Sequence, residues 1–172
     1  MSDVLKQIVG DQYEAVFCTL AMCVDACPEV SWDAPVGDLA FCQVVFHTLF
    51  FSDLYTGVDI RSQREQAFHR EHAEFFRDYE ELADRRQTLL YDRTTTESYL
   101  QHCREKASSA VRSENAASLQ AACGFYSLKL TRAELHIYNI RHVQHHAAQL
   151  SLRLRLDTGD GVPWVGSGWR NR

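Results

Sequence analysis

The sequence predicts an all-α protein: a four-helix bundle with a long crossover between helices two and three. Three observations predict it. Val9, Tyr13, Val16, Leu20, Cys23 and Cys27 recur by fours and threes, the spacing of a helical apolar stripe. Residues 38–56 are apolar nearly all round, which marks a central, buried helix. Two Thr-x-x-Glu runs, Thr94–Glu97 and Thr131–Glu134, read as capping boxes that open two further helices.

The first helix is expected over residues 3–27, closed by Pro28, because proline disfavours helical geometry in the residue before it. Residues 28–37 form a connection with no strand-like alternation. The second helix, 38–56, carries Phe41, Val44, Val45, Phe46, Leu49, Phe50, Phe51, Leu54 and Tyr55, and Gly57 closes it. Residues 58–93 are polar and read as a crossover with a short helix or ordered stretch over 69–86. The third helix follows the Thr94 cap to residue 112, with Leu100, Cys103, Ala107, Ala110 and Val111 inward. A looser stretch runs to Gly124, and the segment 125–130 stays unassigned. The fourth helix starts at Thr131 and stops before Gly159, with Val143, Ala147, Leu150 and Leu154 on its buried side. The Gly-rich tail holds Trp164 and Trp169, expected to pack back on the body, at the bundle end sooner than over the site.

A chain of 172 residues suits one domain, 1–172, with a sizeable core. Net charge is −5 with no Lys/Arg block, which argues against nucleic acid or an anionic membrane as partner. The first thirty residues carry Asp3, Asp11 and Glu14 and no uninterrupted apolar run, so no signal peptide or spanning helix is expected, and a cytoplasmic location follows. The six cysteines (18, 23, 27, 42, 103 and 123) sit among apolar neighbours without a Cys-x-x-Cys pair, and read as buried free thiols.

The chemistry gathers on histidines. His142 and His146 are four apart, so one helix face carries both rings. A metal needs a third ligand. His47, among apolar neighbours on helix two, reads alone as a core histidine bonded to a carbonyl; beside the pair it reads as that ligand. The bland alternative is a histidine cluster in the core without metal. His69 and His72 lie among charged neighbours and read as solvated, and His136 and His145 point away from the pair. Three neutral imidazoles suit a divalent transition metal, zinc or nickel first, then copper or iron. Such a set leaves a position for water or substrate, as catalytic sites do. It would hold a bound thiol as thiolate or acidify a bound water. Gln43 and Gln149, each one turn from a ligand candidate, are expected to face substrate or the outer shell. No general base stands out, so catalytic residues beyond the ligands are unassigned.

The segment Phe46-His47-Thr48-Leu49-Phe50-Phe51, followed much later by His142-x-x-x-His146-x-x-Gln149-Leu150, resembles the DinB-like (damage-inducible) superfamily over most of the chain. The resemblance implies a four-helix bundle, often a homodimer, with a divalent metal on His47, His142 and His146. It also implies kinship with bacillithiol transferases and mycothiol-dependent maleylpyruvate isomerases. Ala147-Ala148 departs from the Arg-Gly or similar pair of many members, which leaves the ligand set intact and the substrate open. The expected function is therefore a metal-dependent thiol (S-)transferase acting on a low-molecular-weight thiol and an electrophilic substrate. A metal-dependent hydrolase and a non-enzymatic, metal-binding dimeric bundle are the alternatives.

Overall fold

In the computed structural model, residues 2–77, 79–125 and 127–169 are described. Helix dominates. Four helices are long: α1 (Ser2–Ala26), α3 (Phe41–Thr56), α7 (Arg93–Ser113) and α9 (Arg132–Thr158). Between them lie five short ones: α2 (Glu29–Trp32), α4 (Ile60–Arg64), α5 (Ala67–Glu71), α6 (Ala73–Phe76) and α8 (Ala116–Gln120). A single 3-10 turn covers Glu80–Leu82.

The long helices touch in a cycle: α1 packs on α7 and α9, and α3 packs on the same two. The cause is legible in their faces. The α1 stripe from Val9 to Cys27 is buried throughout. From α3, Phe41, Val45, Phe46, Leu49 and Phe50 are at most 1% exposed, and Val143, Ala147, Leu150 and Leu154 of α9 close the core from the other side. Phe46 stacks on Tyr91 at 3.8 Å and meets Phe75, Phe76 and Tyr99 edge-on or tilted. These aromatic pairs bury large area and add orientation to it. Among the described residues, no helix is long and apolar enough to cross a membrane.

Several boundaries differ from expectation. The connection after Pro28 contains α2 and a two-residue antiparallel pair, β1 (Pro35–Val36) with β2 (Leu39–Ala40), so α3 starts at Phe41 rather than 38. The third helix is capped by Asp92, not Thr94: the Asp92 carboxylate accepts the Thr95 N–H at 2.8 Å. The carboxylate lies two residues earlier than Thr94 and also favours the positive helix end. Between α3 and α7 the chain forms α4, α5, α6 and the 3-10 turn in series, so the stretch expected over 69–86 as a short helix or an ordered segment takes the ordered form. The loose stretch before residue 124 contains α8, capped by Asn115. The fourth helix begins as expected: Thr131 Oγ1 accepts from the Glu134 N–H, and the Glu134 carboxylate accepts from the Thr131 N–H at 2.7 Å. Gly159, at φ 89°, ends it in the left-handed region that favours glycine.

The tail returns along α1. Val165 is buried against Ala15 and Cys18, the Gly168 N–H donates to the Asp11 carbonyl, and Arg104 lies 3.9 Å over the Trp169 ring. Trp164 is 71% exposed. These contacts lie on α1 and α7, whereas the candidate histidines lie on α3 and α9. Residues 170–172 of the tail lie outside the described residues.

Candidate metal centre

The packing of α3 against α9 decides where His47 lies. His142 and His146 lie on the rim of the buried α9 stripe, their rings 4.7 Å apart. His47, on α3, faces them with ring separations of 5.4 and 4.8 Å. One nitrogen from each of the three lies within 4.8 Å of the others. All three residues are half-buried, so the cluster sits at a rim that a small molecule can reach.

The outer nitrogens of two rings have partners of their own. His47 Nδ1 is 2.8 Å from Glu81 Oε2. A carboxylate only accepts, so Nδ1 carries a proton and Nε2 is the nitrogen left for the other rings. His146 Nδ1 likewise donates to the Gln149 amide oxygen at 2.8 Å, and the Gln149 NH2 donates to His145 Nε2 at 3.3 Å. Both bonds leave Nε2 as the remaining ring nitrogen. The His47 and His142 Nε2 atoms stand 3.5 Å apart. That is long for an N–H···N bond. It is close to the roughly 3.4 Å separating two nitrogens on a tetrahedral zinc with bonds of about 2.05 Å. Burial, then the neighbouring imidazoles, pushes His142 down to about 3. Burial also pushes His146 down to about 4, against the Gln149 bond. Both rings are therefore neutral at pH 7, the state a metal ligand requires. The donor set fits a divalent transition metal, and the residues that could hold it are His47, His142 and His146.

Gln149 stands beside His146, as described. Gln43 is turned to the backbone: its amide oxygen accepts the Ala40 N–H at 2.9 Å, and its NH2 donates to the Gln87 and Leu89 carbonyls at 3.4 and 3.0 Å. It pins the crossover to α3. Phe51 and Tyr55 flank the rings of His47 and His142 and wall one side of the site.

No family model, no curated protein and no solved structure matches this chain.

Three features escaped the sequence reading. Glu81 lies in a charged run, Glu80-Glu81-Leu82-Ala83-Asp84, that reads as solvated, yet its side chain is 1% exposed. His69 was expected in solvent and is instead buried, 2.6 Å from Asp53 Oδ2 and stacked 3.6 Å from Phe76. On α5, Arg70 and Glu71 face water while His69 is buried and Phe68 packs against the core beside it. His136, pointing away from the pair as expected, is buried between Tyr13 and Glu114.

Proposed function

We propose that the chain is a DinB-like four-helix bundle, with one long crossover, that holds a divalent transition metal and acts as a thiol (S-)transferase. The observation that carries the reading is the convergence of His47, His142 and His146 within 4.8 Å at a half-buried rim. Among the described residues no fourth His, Cys, Asp or Glu joins that group, which is the pattern of a centre with room for substrate. The cycle of α1, α9, α3 and α7 supports the bundle.

When bound there, a divalent cation supplies Lewis acidity and lowers the pKa of a thiol placed on it. The chain's own part is to hold and to orient. Glu81 and Gln149 fix the tautomers of His47 and His146, and Phe51 and Tyr55 exclude water from one flank. The nucleophile comes from outside the chain. All six cysteines are buried, and burial pushes Cys23 up to about 12 and Cys27 and Cys42 up to about 11. None of those three is poised as a thiolate. The proposal includes a homodimer, for which the exposed Val4, Leu5 and Ile8 at the start of α1 offer an apolar patch.

Elemental analysis of the purified protein tests the reading, beside a variant with His47→Ala, His142→Ala and His146→Ala together. The expected result is about one equivalent of transition metal per chain in the wild type and none in the variant. The loaded protein should then conjugate a low-molecular-weight thiol to an electrophile faster than free metal does. Metal without turnover removes the transferase. No metal after incubation with zinc and nickel removes the centre itself.

A further inference from the structure

The His47 imidazole is backed by Glu81, which lies 34 residues away in the crossover. We propose that Glu81 is the charge-balancing carboxylate of the histidine centre, a positioning residue that sets His47 as an Nε2 ligand and the affinity of the site for a divalent transition cation. This rests on the metal-binding reading above.

Two observations carry it. The first is electrostatic. The Glu81 side chain is 1% exposed, and its only ion-pair partner among the described residues is His47. Its other oxygen, Oε1, is buried without a hydrogen-bond partner. A carboxylate removed from water and only half satisfied is costly unless positive charge lies close by. Three neutral imidazoles leave a dication's charge whole; Glu81, one ring away, reduces the net charge of the centre from +2 to +1. A carboxylate behind a ligating histidine also raises the basicity of the ring and locks its orientation.

The second is the construction of the turn that presents Glu81. Arg77 and Tyr79, at φ 46° and 62°, are the two non-glycine residues with positive φ among the described residues, and both lie within four positions of Glu81. Such conformations persist only when the surroundings hold them. Here they do: Tyr79 Oη lies 2.6 Å from His69 Nδ1, and Glu80 accepts the Thr88 and Leu89 N–H groups and pairs with Arg85 at 2.9 Å. Gln43 adds its bonds to the Gln87 and Leu89 carbonyls. Glu81 is thus aimed by a fastened turn, the preorganisation that a metal centre's outer residues need.

Zinc binding measured by competition with a chromophoric chelator tests this on the full chain, in the wild type, Glu81→Gln, Glu81→Ala and, as a control for net charge alone, Glu65→Gln, whose side chain is 62% exposed. Glu81→Gln keeps the shape and an acceptor for the His47 N–H but removes the charge. It should bind zinc about 10–100-fold more weakly, with Glu65→Gln unchanged. The visible absorption of bound cobalt(II) should shift in Glu81→Gln as well, which a purely structural role would not produce. Wild-type zinc binding with both Glu81 variants within about twofold of it overturns the inference and leaves the centre standing. A wild type that binds neither zinc nor cobalt overturns both. If Glu81→Ala loses its helical circular dichroism, Glu81→Gln decides alone.

Discussion

The Nε2 of His69 lies 2.6 Å from Oδ2 of Asp53, and neither side chain is more than 1% exposed. The same carboxylate accepts from Tyr99 at 2.9 Å, Gln66 at 3.1 Å and Lys106 at 2.5 Å. One side chain of α3 therefore ties the crossover and α7 together. Removing it leaves a buried imidazole and phenol, and a half-buried amide and ammonium, without their common acceptor. Asp53→Ala should lower the unfolding free energy by about 3–5 kcal/mol. Urea denaturation checks this, and a loss below about 1 kcal/mol would refute the importance given to the knot.

The same group sets an acid limit. Burial pushes the Asp53 carboxyl up, but the His69 bond and the Lys106 charge outweigh it and hold it well below its ordinary 3.8. A folded pKa below the unfolded one stabilises above about pH 4, and that contribution is lost as pH falls further. His136 acts earlier. Burial, then Arg132, lowers its pKa, against Glu114. The unfolded chain therefore takes up that proton first, and stability declines as pH falls below about 6.5. Urea midpoints of the metal-free protein between pH 3 and 8 should fall in two stages, the upper shared by His136 with the buried His142 and His146, so that His136→Gln flattens it only in part while Asp53→Asn flattens the lower. Two unchanged slopes would contradict the assignment.

Arg132 closes the end of α3. Its guanidinium donates to the carbonyls of Tyr55, Thr56 and Gly57 and pairs with Glu114 at 2.8 Å. The planar fork serves several acceptors at once, and a lysine ammonium cannot reproduce it. Arg132→Lys should cost about 1–3 kcal/mol despite the retained charge. A thermal midpoint equal to that of the wild type would sink this expectation.

Gln149 and Glu81 both back a histidine, in different surroundings. Gln149 is exposed, so water replaces its amide once the side chain is gone. Gln149→Ala should weaken zinc binding by no more than about threefold, well short of the loss expected at Glu81. Equal losses at the two positions would mean that burial and charge do not matter here.

Thiol titration gives an independent check on the core. All six cysteines are buried, so the native protein should react with a disulfide reagent at far below one thiol per chain on the minute timescale. All six should react in denaturant. Rapid reaction of one thiol in the native state would show a looser core than the packing implies.

The long helices were legible because their signals are local. The α1 stripe and the Thr131–Glu134 box each lie within a few turns of chain, and both appear where expected. The histidine couple was legible for the same reason, since a four-residue spacing fixes a shared face. Glu81 was not, because its partner is 34 residues away and its neighbours are charged. Asp53 left a trace: an acid in a helix apolar nearly all round demands partners. Nothing in the sequence said that they would come from α5 and α7. The Thr94 box misled because Asp92, two residues earlier, caps the same helix.

The sequence distance between His47 and His142, 95 residues, has a consequence for synthesis. A zinc finger gathers its ligands within one short segment, and its metal can organise that segment at once. Here one of the three histidines is made early and the other two only with α9. A nascent chain whose translation has stopped before α9 therefore cannot form this three-histidine group, however much metal surrounds it. Any metal held by this group would load only once α9 is in place, and truncated chains should carry no such centre.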